Sequence, residues 1–289
     1  MGKMKYLNVG CGNKYHKDWV NIDLASVDPD VIVCDLLKRI PFDDNVFDVV
    51  YLSQVLEHFS KKDALVLIRE CYRVLKTGGI IRVVVPDLEN IVRNYLRFLE
   101  ENLKHPTAES EANYEWIMVE MYDQTVRNAA GGEMIELMVK EKAVNEEFVL
   151  GRLGLAGRTN KENYLRELKK TKIKLIQSRL LKAVEPRNFK KVLSFLMEKT
   201  AKLMLYLLGM NKELKHMQIG KFRMSGENHY WMYDRYSLGK LLASFSFREI
   251  KLKTPFESDI PAWAEYALDV KNGEVYDPTS LFMEAKKLF

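Results

Sequence analysis

The chain lacks any long apolar run. Of its 289 residues 47% are apolar and 29% are charged, but no stretch of about 18 uncharged apolar residues occurs. No transmembrane helix is therefore predicted. The opening residues, MGKMKYLNVG, lead directly into an apolar strand pattern, so a signal peptide is not predicted either.

Cysteine is also scarce. The three cysteines, Cys11, Cys34 and Cys71, are odd in number and lack the spacing of a metal site. This pattern predicts reduced thiols in a cytoplasmic protein and no zinc site. No other metal site is predicted: Asp87 and Glu89 could serve a divalent ion, but their spacing is not diagnostic, and Asp87 is favoured as a helix N-cap.

The charge is unevenly distributed. Residues 151–224 contain 19 Lys and Arg against 5 Glu, a net charge of +14, whereas the whole chain carries +5 and the rest therefore −9. An anionic partner is expected for this segment. Nucleic acid is disfavoured, because no RNA-binding module is attached and aromatic residues do not interleave with the basic ones. The basic, leucine-rich helices over 168–209 could contact an anionic membrane peripherally, or pack their apolar face on the protein.

The segment from Lys5 to Leu24 predicts a nucleoside site. A short strand, Tyr6–Val9, enters the glycine turn Gly10-Cys11-Gly12, and a second strand, Val20–Ile22, ends at Asp23. Such a turn lets the backbone approach a ligand closely, and an acid at the end of the next strand can accept hydrogen bonds from ribose hydroxyls.

A dinucleotide is disfavoured at this site. The dinucleotide motif needs a third small residue where this chain has Tyr15. It also places its acid about 20 residues on, whereas Asp23 follows Gly12 by 11 residues. The link between them is too short for a full helix, so an abbreviated first crossover is expected.

Alternating strands and helices predict an α/β fold with a doubly wound parallel sheet. Further strands are expected at Val31–Cys34, Phe47–Leu52, Ile80–Val85, Phe247–Leu252 and Ser280–Lys286. Helices are expected from a capping box at Ser60–Asp63 to a stop at Gly78-Gly79, from Asp87 to about His105, and over Arg235–Ser244. Residues 106–224 are predicted to be a basic helical insertion, broken at 129–132 and at Pro186, between domain parts 1–105 and 225–289.

Six motifs together resemble the class I S-adenosylmethionine (SAM) dependent methyltransferases. They are VGCGN, NIDL, CDL, FDVVYLSQVLEHF, ECYRVLKTGGIIRVVVPDLE and HYWMYDRYSLGKLL with the following FREIKL. More narrowly, they resemble predicted methyltransferases associated with polysaccharide and cell-surface assembly. The resemblance covers residues 5–90 and 228–289 and is weaker over the insertion. It implies a Rossmann-like, seven-stranded, mostly parallel sheet whose last strand is antiparallel, with SAM as cofactor and S-adenosylhomocysteine as product.

The resemblance also implies roles for the first motif. Gly10 and Gly12 would line the methionine end of SAM, with Cys11 as a small residue of the turn and not a nucleophile. Asp23 would take both ribose hydroxyls, with Leu24 beside it.

Later strand ends complete the implied cofactor site. Asp35 would accept from the adenine amino group, with Leu36 beside the ring, and Ser53 and Gln54 would face the methionine or the acceptor. Asp23 and Asp35 could alternatively be turn or cap residues, which aspartate favours.

A hydroxyl acceptor would need a general base, and histidine is the usual choice near neutral pH. Among five histidines, His229 is favoured, because it lies in an aromatic run where Tyr233 or Asp234 could orient it. His58, just after the fourth strand, is second. Either could instead be a packed or helix-end histidine.

A polar cluster before a double-glycine break is the candidate acceptor site. It consists of Tyr122, Asp123, Gln124 and Arg127, with Tyr233 from the aromatic run. A solvated helix face is the alternative. The expected reaction is O-methylation of a sugar or glycan hydroxyl. Methylation of another small molecule or a protein side chain, or a non-catalytic SAM-binding scaffold that docks through its basic helices, remains open.

Overall fold

The computed structural model describes residues 4–140, 143–177, 197, 200 and 204–288, with the backbone alone described for 168–177. The strands are β1 Tyr6–Val9, β2 Val20–Asp23, β3 Val31–Val33, β4 Phe47–Ser53, β5 Leu75–Pro86, β6 Phe247–Lys253, β7 Val270–Lys271, β8 Glu274–Val275 and β9 Ser280–Lys287. The helices are α1 Lys61–Val74, α2 Leu88–Lys104, α3 Ala108–Val126, α4 Gly132–Met138, α5 Glu146–Gln177, α6 Asn211–Arg223 and α7 Arg235–Ser244. Short 3₁₀ turns form at Leu56–His58 and Trp263–Tyr266.

Seven strands form one sheet in the order β3-β2-β1-β4-β5-β9-β6. The pairs among β1 to β5 are parallel, and β9 runs antiparallel to both β5 and β6. This arrangement confirms the predicted seven-stranded, mostly parallel sheet with an antiparallel last strand. The carboxyl ends of β1, β2 and β4 therefore lie at one edge, where ligands bind in such sheets.

One face of the sheet is covered by α1 and α7, whose apolar residues share a core with the strands. Ser60 is the N-cap of α1, and its hydroxyl oxygen accepts the Asp63 N–H. The same hydroxyl donates to the Asp63 carboxylate at 2.7 Å. Because that carboxylate meets the hydroxyl and not the backbone N–H of Ser60, the capping box is incomplete. The predicted stop at Gly78-Gly79 is wrong, because α1 ends at Val74. Leu75 is buried and pairs with Phe47, so the chain enters the sheet at once.

The opposite face is covered mainly by aromatic side chains. The connection from β1 to β2 contains no helix, as expected from its length. Trp19, from that connection, stacks on Tyr6 at 4.9 Å and meets Tyr51 and Trp263 edge-on or tilted. The segment 254–279, which carries Trp263, thus takes the place that a crossover helix would otherwise occupy.

A charged triad is buried behind this aromatic layer. Arg82, on β5, is fully buried and donates to Asp269 at 2.8 Å and to Glu284 at 2.6 Å. The Tyr51 hydroxyl donates to Asp269 at 2.5 Å, and Lys253 lies 3.9 Å from Glu284. Because buried charges need partners, this network fixes the 254–279 segment against the sheet.

The insertion is helical in the part that the structure describes. Helices α3, α4 and α5 build a second core with α2, centred on Phe98, Trp116 and Ile117. The predicted break at 129–132 separates α3 from α4, whereas Pro186 lies outside the described residues, as do the side chains of most of the basic segment 168–209. In the described ranges no helix is long and apolar enough to cross a membrane.

Candidate functional site

A cleft of about 620 Å³ opens at the carboxyl ends of the parallel strands. Seven residues predicted from the sequence line it: Gly10, Asp23, Leu24, Asp35, Leu36, Gln54 and His58. Val55 and Tyr230 were not predicted and also line it. The convergence of strand ends therefore assembles most of the predicted cofactor site in one place.

The glycine turn makes room for a ligand without offering it free N–H groups. The N–H groups of Gly10 and Cys11 both donate to the Ile22 carbonyl, at 2.8 and 3.1 Å. Gly10 has φ +67°, and a Cβ on it would lie 2.5 Å from a methyl carbon of Val55. Cys11 is buried, and burial raises the pKa of its thiol to about 11, so it is a protonated turn residue.

The Asp23 carboxylate accepts hydrogen bonds from the backbone and has lone pairs left to accept more. One oxygen accepts the Gly12 N–H at 2.8 Å and the other accepts the Ala25 N–H at 3.3 Å. A carboxylate has about four lone-pair sites, so Asp23 can cap the turn and still accept from ribose hydroxyls. The two interpretations of this residue are compatible.

Asp35 and its neighbours form the other side of the cleft. An Asp35 oxygen accepts the Leu37 N–H at 3.0 Å, and Lys38 lies 3.5 Å from the other oxygen. Leu36 is buried beneath the cleft, whereas Leu24 is largely exposed at its rim. The Asp35 side chain is partly committed to its own turn, as the alternative interpretation expected.

The charge of the cleft fits SAM better than a dinucleotide. Among the described residues that line it, none is Lys or Arg, and Asp23, Asp35 and Asp63 supply negative charge. A pyrophosphate would be repelled here, whereas the sulfonium and ammonium groups of SAM would be attracted. The acidic lining of the cleft thus fits SAM.

Ser53 and Gln54 separate at the end of β4. Ser53 is buried and its hydroxyl accepts from the Lys14 ammonium at 3.1 Å, so it faces away from the cleft. Gln54 takes a left-handed φ of +56° and donates through Nε2 to the Ser280 hydroxyl at 2.9 Å. Gln54 lines both the cleft and a second cavity.

The second cavity, of about 200 Å³, lies between the sheet and the insertion. Its polar wall is held by Arg152, which donates to both oxygens of Glu120 at 2.6 and 2.8 Å. The Trp116 indole N–H also donates to Glu120, at 2.9 Å, and Arg152 reaches Asn90 at 3.0 Å. No local sequence pattern predicts this wall, because its residues come from three separate helices, α2, α3 and α5.

Of the polar cluster predicted to hold the acceptor, Gln124 lines this cavity. Tyr122 is mostly exposed, and Asp123 accepts the Glu133 N–H at 2.8 Å at the start of α4. Arg127 donates to the Glu227 carbonyl at 2.9 Å. Because successive helical residues point about 100° apart, neighbours on α3 cannot all face one cavity.

The aromatic run supplies structure as well as a candidate base. Tyr233 is buried in the sheet core, where its carbonyl accepts the Leu88 N–H at 2.9 Å, and neither cavity includes it. Asp234 caps α7 through the Ser237 N–H at 2.7 Å and is thereby committed away from His229.

The two candidate bases, far apart in sequence, are adjacent in space. The rings of His58 and His229 are perpendicular, with centroids 4.7 Å apart. Burial lowers the pKa of His229 to about 3 and also lowers that of His58. Glu57, which was not among the residues predicted from the sequence, lies beside both, and burial raises the pKa of its carboxyl group to about 8.

Asp87 and Glu89 are both committed elsewhere. Asp87 caps α2 by accepting the Glu89 N–H at 3.0 Å, as favoured from the sequence. Glu89 pairs with Arg93 at 2.6 Å and with Arg235 at 2.9 Å.

Comparison with known proteins finds similarity to methyltransferases. Residues 14–83 match the family described as "Methyltransferase domain". A demethylmenaquinone methyltransferase of Staphylococcus haemolyticus is 31% identical over 91 residues, which is 29% of this chain. One of Staphylococcus aureus is 29% identical over 109 residues, which is 36% of this chain. The chain spans 37% and 42% of the length of these relatives.

Solved structures show only distant likeness. A SAM-dependent methyltransferase of Thermotoga maritima is 11% identical, with a TM-score of 0.37 over 99% of this chain and 84% of that one. A Burkholderia thailandensis 1,6-didemethyltoxoflavin-N1-methyltransferase is 14% identical, with a TM-score of 0.25 over 28% and 44%. Both TM-scores are below 0.5, so neither likeness supports an assignment of fold or function. The domain match and the curated relatives show that part of this chain is similar to methyltransferases, and the acidic cleft at the strand ends of the seven-stranded sheet fits SAM as the cofactor.

Proposed function

We propose that the protein transfers a methyl group from SAM to a hydroxyl of a polar, sugar-like acceptor. One observation carries the proposal: Gln54 is a shared wall of the acidic cleft and of the polar second cavity. Methyl transfer is an in-line displacement, so cofactor and acceptor must meet end to end with water excluded. Two adjoining cavities of different character meet that requirement.

On the cofactor side, Asp23 would hold the ribose and Leu36 would pack beside the adenine. SAM supplies an activated methyl group when it is bound, and the acidic lining of the cleft favours its positive charge. The polypeptide therefore has to bind SAM and the acceptor, to orient them and to exclude water.

On the acceptor side, about half of the residues that line the second cavity are polar, including Glu120, Gln124, Asn160 and Asp277. Trp116 adds an aromatic surface. Hydrogen-bonding groups beside an aromatic ring suit a sugar ring better than the apolar quinone that the Staphylococcus relatives' name implies. The proton of the acceptor hydroxyl would leave near His58, which lines the cleft.

The first test is a thermal-shift comparison of SAM, S-adenosylhomocysteine and NAD. A ligand at about 100 times its Kd stabilises the fold by roughly 2.7 kcal/mol. We expect both adenosyl ligands, but not NAD, to raise the Tm of the wild type. Asp23→Asn should lose that shift, because the amide accepts fewer ribose hydrogen bonds, while Asp30→Asn, an exposed acid outside the cleft, should keep it.

A SAM shift that survives in Asp23→Asn would contradict the cofactor assignment. The acceptor class is tested separately by methyl transfer from labelled SAM to free sugars, nucleotide sugars, glycans and a naphthoquinone. Turnover on the quinone alone would overturn the sugar-like acceptor. A SAM shift with no turnover on any acceptor would favour the non-catalytic scaffold instead.

A further inference from the structure

We propose that Glu57, His58 and His229 bind one divalent transition-metal ion beside the cofactor cleft, which His58 lines. One ligand atom from each residue lies within 4.8 Å of the other two. Metal bonds of about 2.0–2.2 Å hold ligand atoms up to about 4.4 Å apart. A small inward rotation of these side chains would therefore place all three around one ion.

The Glu57 side chain gives independent support for a cation. It is 1% exposed, and neither carboxyl oxygen has a hydrogen-bond partner among the residues that the structure describes. Buried polar atoms are nearly always paired, and an unpaired carboxyl group is costly to bury. The main-chain carbonyl of Glu57 accepts the N–H groups of Tyr230 and Trp231, at 2.8 and 3.3 Å, so the backbone of Glu57 is held against the segment that carries His229.

The neighbours of the two histidines suit metal binding. The His58 Nδ1 lies 3.2 Å from the Asn228 carbonyl, which can only accept, so Nδ1 carries the proton and Nε2 keeps its lone pair. Metal-bound histidines commonly use their second nitrogen in this way. The backbone N–H of His229 donates to the Gln124 carbonyl at 2.9 Å. The Asn228 Oδ1 atom is also buried without a partner and could accept from a metal-bound water.

The donor set indicates which metals fit. Two imidazoles and one carboxylate suit Mn²⁺, Fe²⁺, Co²⁺ or Zn²⁺ better than Mg²⁺ or Ca²⁺, which prefer oxygen ligands. Three protein ligands leave coordination positions open for an exogenous oxygen. Besides burial, the positive charge of Arg127 lowers the pKa of both histidines, and its guanidinium donates to the Glu227 carbonyl. This proposal departs from the sequence analysis, which predicted no metal.

A chemical role for the ion follows from the proposed function and rests on it. His58 lines the cofactor cleft, and Gln124, whose carbonyl holds His229, lines the acceptor cavity. An ion between them would bind the acceptor hydroxyl and lower its pKa, so that its proton passes to water. The hydroxyl oxygen then bonds the methyl carbon, the S–C bond breaks, and its electron pair stays on sulfur. Glu57, His58 and His229 thus act as ligands, which replaces the general-base role expected for the histidines.

The test uses Co²⁺ as a spectroscopic probe on full-length, EDTA-treated protein. We expect the wild type to bind one Co²⁺ with visible absorption bands and a rise in Tm. Glu57→Gln and His229→Gln should each weaken Co²⁺ binding by roughly 100-fold or more, since each removes a direct ligand and loss of supporting contacts alone costs about 10–100-fold. His216→Gln, which removes an exposed histidine of α6, should bind Co²⁺ as the wild type does.

The same variants separate a metal site from a structural role. In EDTA, Glu57→Gln should melt no lower than the wild type, because it removes an unpaired buried carboxyl group while keeping its shape. If Glu57→Gln does not fold, His229→Gln carries the comparison. Equal Co²⁺ affinity in the wild type and in these ligand variants would overturn the proposal.

A SAM thermal shift recorded on the same samples keeps the two proposals distinguishable. A SAM shift without specific Co²⁺ binding overturns the metal site and leaves the cofactor assignment standing. Specific Co²⁺ binding without a SAM shift supports the metal site and counts against the proposed function.

Discussion

Gly10 and Gly12 form a matched pair for testing how the glycine turn serves the cleft. Both have positive φ, +67° and +52°, so alanine at either position carries a backbone cost of about 1–2 kcal/mol. A Cβ on Gly12 would meet nothing within 4 Å, whereas a Cβ on Gly10 would lie 2.5 and 2.9 Å from the two methyl carbons of Val55. Overpacking of that kind costs a further ~1–3 kcal/mol.

The expected losses therefore differ between the two variants. Gly12→Ala should lower the free energy of unfolding by about 1–2 kcal/mol, and Gly10→Ala by about 2–5 kcal/mol. Val55 also lines the cleft, so Gly10→Ala should push it toward the ligand and weaken SAM binding by about tenfold, equivalent to ~1.4 kcal/mol. Gly12→Ala keeps the N–H that Asp23 accepts, so SAM affinity should change little. Urea denaturation and calorimetric SAM titration measure the two quantities.

Val55→Ala supplies the decisive control. If the overlap is the cause, the double variant Gly10→Ala/Val55→Ala should be less destabilised than the sum of its single variants, by about 1–3 kcal/mol. Additive losses, or equal losses for Gly10→Ala and Gly12→Ala, would refute the contact with Val55 as the reason for glycine at this position.

Two further predictions concern stability. Arg82→Met should lower the free energy of unfolding by about 3–5 kcal/mol, because the buried carboxylates of Asp269 and Glu284 would lose their cationic partner. Urea denaturation at pH 7 measures this loss. A loss no larger than that caused by replacing an exposed arginine would contradict the prediction. Arg73 lowers the pKa of Glu70 from its usual 4.5, so this pair stabilises the fold above that pH and the stabilisation is lost as pH falls through the lowered pKa. Glu70→Gln should therefore be less stable than the wild type at pH 7 by about 1–2 kcal/mol, and the two unfolding curves should converge in acid; a constant gap would argue against the linkage.

The elements predicted most accurately are those with local signals. The first strand, Tyr6–Val9, and the helix Arg235–Ser244 have the same bounds in the structure as in the prediction. Each is an apolar pattern closed by polar or glycine residues, so neighbouring residues alone determine it. The strand ends also converge as expected, because parallel strands place their carboxyl ends at one edge.

The errors arise where distant pairing outweighs local signals. Gly78-Gly79 resembles a helix stop, but Leu75 pairs with Phe47, a partner 28 residues away, and the strand starts before the glycines. The wall of the second cavity is likewise non-local, since Arg152 meets Glu120 across 32 residues. Glu57 directly precedes His58, so the sequence does place a carboxylate beside one candidate base. The prediction of a general base rests on histidine alone and therefore does not include it.

The insertion contacts the wall of the cleft as well as that of the second cavity. The carboxyl end of α3 holds the segment after α6 by three backbone or side-chain bonds: Gln124 accepts the His229 N–H at 2.9 Å, Arg127 donates to the Glu227 carbonyl at 2.9 Å, and Asn228 donates to the Arg127 carbonyl at 3.2 Å.

That segment continues into the cofactor cleft. Tyr230 lines the cleft, and its N–H donates to the Glu57 carbonyl at 2.8 Å. A displacement of α3 by an acceptor would therefore reach Glu57, His229 and the cleft wall through direct hydrogen bonds. Because the same backbone contacts hold His229 and the wall of the cleft, acceptor binding and SAM binding should be energetically coupled, and each should change the affinity for the other by the same factor.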